Sequence, residues 1–355
     1  KIGIPMGIKL HSSLLLIALS TTGASLVQAA DVSQARDALT KQESDADTEK
    51  ALEEVFEAAE TSYSLLKKGG VGLNYSFDYS YYGDQRLGLI IEPQLNENGE
   101  VTGSSNILSA DVNPSATHTF TNSFALDYGL MNNVTIGGRI PLIAKFDSEA
   151  DITNFSVGDL SGTVRWQPWG IVPGTISKTL FGSVKLKTGD SPYEIDNSKH
   201  LASGSGYYSI SGGASVSKVL DPVVLFGSGT YGYNFAETDL NQVREGSVLK
   251  EVHPGSSISG SMGFAYSLSY DVSLSVSFQA SYNDETRFVL QRGRETVEST
   301  VGSQVTGLMN FALGVRVSPK TITNINIGFG MTESAPDFLV GFSMPIDIEG
   351  VKPSL

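Results

Sequence analysis

The sequence predicts an all-β transmembrane barrel of about twelve antiparallel strands, of the bacterial outer-membrane kind, entered through an N-terminal amphipathic helix. Three observations predict it. Apolar and polar residues alternate with period 2 through most of the chain after Gly70; the connections between these runs are alternately tight and long; and no stretch past residue 30 approaches the roughly 18 apolar residues of a spanning helix. With 40% hydrophobic residues and a mean hydropathy of −0.03, any membrane character must be carried by one face of each strand rather than by whole segments. A net charge of −14 argues against nucleic-acid partners, which need a basic surface, and the absence of Cys suits passage through an oxidising periplasm.

Residues 1–30 read as a secretory signal. Lys9 supplies the charge, Leu14 to Leu19 the apolar centre and Val27-Gln28-Ala29 a small-residue cleavage site; the five residues before Met6 read as upstream of the start. Residues 31–70 are helical in tendency, polar until about Leu52. There Leu52, Phe56, Ala59, Tyr63 and Leu66 recur at spacings of four, three, four and three, with Glu53, Glu57 and Glu60 on a neighbouring face. The helix is expected to run on to Leu65-Leu66 and to end at Lys67-Lys68-Gly69-Gly70. Two readings stand side by side, a periplasmic helix that self-associates and a plug inside the barrel.

Residues 71–355 form the barrel in this reading. Val71, Leu73, Tyr75, Phe77, Tyr79 and Tyr81 alternate with small or polar residues, which makes a strand with one greasy face and one wet face. Twelve such runs begin near Val71, Ala116, Asn133, Asp159, Lys178, Tyr207, Val223, Gly255, Asp271, Thr306, Thr321 and Phe338. In the ninth, Val272 to Tyr282 place Val, Leu, Phe, Ala and Tyr against four Ser and a Gln. A soluble sandwich would carry charge on its wet face; here that face is mostly Ser, Gly, Thr and Asn, which suits a crowded or watery lumen. The connections after even-numbered runs are tight (Gly129 to Asn132, Pro168 to Ser177, Val219 to Pro222, Ser269-Tyr270, Ser318 to Lys320). Those after odd-numbered runs are mostly long and hydrophilic: Gly83 to Ser115, Asp147 to Gly158, Gly189 to Gly206, Ala236 to Pro254 and Arg287 to Val305. Bacterial barrels keep their short turns periplasmic and their long loops outside. Aromatics gather at run ends, with Tyr79, Tyr81, Tyr231, Tyr233, Phe235 and Tyr282 at the outer ends and Tyr128, Trp166 and Trp169 at the inner ends.

No catalytic signature, metal-ligand spacing or phosphate-cradling glycine motif stands out, and the four His are scattered, so the expectation is a protein that moves cargo, with no enzyme activity and no cofactor. One constellation is distinctive. Parity puts Arg139 and Lys145, Arg165, then Lys185 and Lys187 on the lumen faces of the third, fourth and fifth strands, a basic strip on the inner wall. It would dock the acidic helix or attract anionic cargo, or else close into a neutral network with Asp78, Asp127 and the acids of the loops.

The run Leu52 to Glu60, then Tyr63 to Gly69, then Asp78 to Tyr82 and Asp84-Gln85-Arg86 resembles the barrel entry of the Fap-type outer-membrane secretion proteins, within the broader transporter family named after phenol-degradation operons. The resemblance implies a twelve-stranded barrel in outer-membrane lipid, a gating plug built from Leu52, Glu53, Phe56, Glu57, Glu60 and Tyr63, a homotrimer, and export of unfolded functional-amyloid subunits. The stretch Asp31 to Glu49 departs from that family, being too short and polar for its long coiled coil. The alternative cargo is a small hydrophobic or aromatic compound taken up through a related channel.

Overall fold

The computed structural model describes residues 65–83, 86–89, 110–113, 116–148, 151–170, 175–196, 199–244, 247–269, 271–318 and 321–346. The expected signal segment and the part of the expected helix over residues 51–64 lie outside these. Among the described residues nineteen strands are formed: β1 (Val71–Tyr82), β2 (Arg86–Leu89), β3 (Ala110–Asn113), β4 (Thr117–Met131), β5 (Val134–Asp147), β6 (Ile152–Val157), β7 (Ser161–Trp166), β8 (Ser177–Lys185), β9 (Ser209–Leu220), β10 (Val223–Asn234), β11 (Gln242–Arg244), β12 (Ser247–His253), β13 (Ser257–Ser269), β14 (Val272–Asn283), β15 (Thr286–Arg292), β16 (Glu295–Val301), β17 (Gln304–Ser318), β18 (Thr321–Gly330) and β19 (Phe338–Ile346).

Twelve of them close into an antiparallel ring, in the order β1, β4, β5, β7, β8, β9, β10, β13, β14, β17, β18, β19 and back to β1. Each begins within two residues of its expected position. The ring leaves no open edge, the only way extended backbone can satisfy its N–H and C=O groups in lipid. The pleat then sorts the side chains. On β13 Met262 is 66% exposed, whereas on neighbouring β14 Ser275 is 8% exposed, so the apolar face looks outward and the hydroxyl face inward. The same alternation exposes Phe124, Leu126 and Tyr128 on β4 while Ser123 is buried. Aromatics crowd the long-loop end of the outer face, where Tyr79 and Tyr81 pack on His118 and the Tyr79 hydroxyl lies 2.9 Å from its Nδ1.

Three local expectations are corrected. Leu65 and Leu66 carry no regular secondary structure; the Leu66 amide is bonded to Thr135 of the barrel wall instead. The connection after β5 is not a loop throughout: β6 pairs with the outer half of β5 and β7 with its inner half. The two pieces make one barrel strand interrupted at Gly158 to Leu160, and inward parity moves from even residues (Asn154, Ser156) to odd ones (Ser161, Thr163, Arg165), as a β-bulge requires. The long connections 236–254 and 287–305 are also more than hydrophilic loops. They contain β11, β12, β15 and β16, a four-stranded sheet with its own apolar cluster of Leu240, Leu249 and Val252, flanked by Tyr193, Phe288 and Leu290. Pairing the two hairpins edge to edge, β12 on β15, lets these residues leave water together.

Candidate functional site: the lumen and its two mouths

At the short-turn end the incoming chain lies against the inner wall. The Leu66 amide donates to Thr135 Oγ1 at 2.8 Å, and Thr135 is completely buried on the lumen face of β5. Gly69 N–H donates to Gly129 O at 2.7 Å and Gly129 N–H to Gly70 O at 2.9 Å. Gly129 shares the inward parity of Ser123, and a Cβ there would strike the carbonyl oxygens of Leu66 (2.8 Å) and Lys67. The Leu66 side chain covers Gly72 on the lumen side of β1. The chain therefore enters its first strand from inside the bore, and glycine is required at residue 129 because another backbone passes over it.

The basic side chains singled out from the sequence all reach the inner wall or its outer rim, and each is met. Arg139 Nη2 donates to Ser123 at 2.8 Å and stands 4.0 Å from Asp78. Arg165, buried on β7, is in an ion pair with Asp127. Lys145 Nζ donates to the Ala202 carbonyl at 2.5 Å. Lys185 donates to Ser205 Oγ at 2.6 Å, lies 3.8 Å from Asp159 and sits 4.7 Å over the Tyr207 ring. Lys187 bridges Glu237 (2.6 Å) and Glu194 (3.0 Å) at the long-loop mouth. The plug residues Leu52, Glu53, Phe56, Glu57, Glu60 and Tyr63 lie outside the described residues.

Two features of the bore were not read from the sequence. The first is Asp159, whose carboxylate accepts from Gly189 N (3.1 Å), Ser205 N (2.7 Å) and Ser205 Oγ (2.7 Å), so it clasps both ends of the connection 189–206 against the wall. Gly189 and Gly204 touch at this neck, where a Cβ on Gly189 would come 2.7 Å from the Gly204 Cα. Inside the neck, hydrogen bonds from Ser156 and Asn154, and then Ser203, hold the Asp190 carboxyl below its ordinary pKa. Burial pulls the Lys187 pKa down, but hydrogen bonds and charge from Glu237 and Glu194 outweigh it and leave it raised. An acid beside Gly158, at the break in the alternation, was the one signal for Asp159. The second feature is an apolar patch on the lumen face near the short-turn end, built from Val219, Val224, Phe226 and Ala265. Apolar residues on the nominally wet face were its signal. Among the described residues, no group of three His, Asp or Glu is placed to hold a metal.

No family model matches the chain. The crystal structure of the COG4313 outer membrane channel from Pseudomonas putida F1 superposes with a TM-score of 0.58 over 80% of this chain and 97% of that one, at 13% identity. The protein is a bacterial outer-membrane β-barrel. The translocator domain of autotransporter NalP from Neisseria meningitidis is similar over 86% of this chain and 98% of its own, at a TM-score of 0.44 and 9% identity.

Proposed function

We propose that this barrel is an outer-membrane pore gated at its short-turn mouth by its own N-terminal segment, and that it exports an unfolded polypeptide of the functional-amyloid type. The observation that carries the gate is the Leu66–Thr135 hydrogen bond together with the passage of Leu66 and Lys67 over Gly129, since a chain that enters its first strand from the lumen has its preceding residues delivered to the lumen. The amphipathic stretch Leu52 to Tyr63 lies immediately before that point and supplies the plug, with Leu52, Phe56 and Tyr63 against the wall and Glu53, Glu57 and Glu60 towards the basic side. A bore lined by Ser, Thr and Asn offers hydrogen bonds to any extended backbone without selecting a side chain, which supports polypeptide cargo.

The test is conductance in planar bilayers. The full chain should be mostly closed, and deletion of Ala51 to Leu66 should open it. A full chain already open, with conductance unchanged by the deletion, removes the gate. A second reading, uptake of small hydrophobic compounds, is favoured by the lumenal patch of Val219, Val224, Phe226 and Ala265. The two separate in a deletion strain, which either retains a secreted polypeptide in the periplasm or loses permeation of an aromatic solute.

A further inference from the structure

Below the long-loop mouth the bore holds a cavity of about 620 Å³, the size of a small-molecule site, but lined mainly by polar side chains rather than the usual apolar ones. Its charged lining groups are Arg139, Lys185 and Asp159. Asp159 is spent: its side chain is 9% exposed, and it accepts three hydrogen bonds and pairs with Lys185. Arg139 is in the opposite condition. Its side chain is 48% exposed, and both its contacts, to Ser123 and Asp78, are made by Nη2, which leaves Nη1 without a partner among the described residues. Lys185 is 30% exposed beside it in the lining. The lining thus carries two cations against one acid, with Asp78 standing outside it at 4.0 Å from Arg139 Nη2, and the charged donor left for an occupant is Arg139 Nη1, a guanidinium N–H of the kind that pairs well with a carboxylate. Around it, Ser183 and Ser211 form a hydroxyl pair at 2.7 Å, and Thr230, Asn234 and Asn283 complete a wall that both donates and accepts.

We propose that this cavity is a binding site for a small hydroxylated carboxylate of the sugar-acid class, with Arg139 as the carboxylate anchor, Lys185 as the second cation, and the Ser, Thr and Asn wall taking the hydroxyls. An apolar ligand would offer these groups no hydrogen bonds, and a neutral sugar would bring no charge to Arg139 Nη1. The site does not rest on the gate, because it is built from the strands and from Ser203 and Tyr207 of the inward connection.

Titration calorimetry on the full chain in detergent, at constant ionic strength, tests it with three probes: glucuronate, glucose and benzoate. Glucuronate should bind about tenfold or more tightly than glucose, roughly 1.4 kcal/mol, and more tightly than benzoate. Arg139→Gln should erase the preference over glucose and Arg139→Lys should keep most of it, with heat-modifiable migration showing that each barrel is folded. If Arg139→Gln does not assemble, Lys185→Gln should still weaken glucuronate selectively. Equal binding of glucuronate and glucose, benzoate binding as tightly as glucuronate, or an unchanged preference in the folded Arg139→Gln protein each overturns the assignment. Calorimetry reads no current, so a failed gate leaves this result standing and the reverse.

Discussion

Single residues decide how the segment before β1 is held. Thr135 is fully buried and supplies the acceptor for the Leu66 amide, so Thr135→Val keeps the shape and removes the bond. A hydrogen bond of this kind contributes about 0.5–1.5 kcal/mol, so the closed state should lose roughly two- to tenfold in population, read as a higher resting conductance. Gly129→Val should act more strongly, because its Cβ meets backbone that cannot turn aside. Asp190 makes a different forecast. Its folded pKa is depressed, so its contribution to holding the connection 189–206 is present above the ordinary carboxylate value of about 3.9 and is lost as pH falls through the lower folded value. The amide signals of Gly189 to Ser205 should stay in place at neutral and mildly acid pH and titrate only below that value, and Asp190→Asn should abolish the titration. The sequence showed Arg139 and Arg165 facing inward from parity alone. It offered Asp78 and Asp127 as candidate partners but could not say which base each would meet, because pairing between strands depends on register, and register is set by turns and bulges across the whole ring.

At the scale of a strand, the consequence of alternation is asymmetric tolerance. Val276 and Phe278 lie on the outer face of β14, and Ser275 and Ser277 on the lumen face. Val276→Arg should cost about 2–4 kcal/mol near the bilayer midplane and impair assembly, whereas Ser277→Arg should be tolerated; heat-modifiable migration after refolding distinguishes them, and equal tolerance would mean a misassigned face. The β15–β16 turn at Gly293 has a positive φ of 60° and belongs to the long-loop end. Gly293→Cys should react with an impermeant thiol reagent on intact cells, and labelling only after the outer membrane is broken would invert the topology. The twelve barrel strands were legible because each repeats one two-residue pattern over nine or more residues, apart from the interrupted strand of β6 and β7. The sheet of β11, β12, β15 and β16 was not: its strands are short, and Leu249, Val252 and Phe288 reveal a common core only once three connections are brought over one mouth.

For the molecule as a whole, the lumen divides into regions of different character. The long-loop mouth is sewn together by Lys187, Glu194 and Glu237 and by the Leu240, Leu249 and Val252 cluster. A polar cavity lined by Arg139, Lys185 and Asp159 lies below it, and an apolar patch lies near the short-turn end. Arg165, Lys185 and Lys187 are already answered by acids of the barrel and its connections, so little of the basic side is left for Glu53, Glu57 and Glu60 of the proposed plug. Glu53, Glu57 and Glu60 changed together to Lys should therefore open the pore less than deletion of Ala51 to Leu66 does. A triple variant as open as the deletion would mean that charge, rather than packing and backbone bonds, keeps the pore shut.

The seam between β1 and β19 joins the first and last strands of the ring, with Leu73 opposite Ile346 and Tyr81 opposite Phe338. Zipping it needs the C-terminal strand, while the chain leading into β1 is held inside the same wall through Gly129 and Thr135. Once that seam is drawn the wall has no gap through which backbone could pass, so the leading segment can move between the inner side and solvent only by way of the short-turn mouth. Tether and mouth therefore share one doorway.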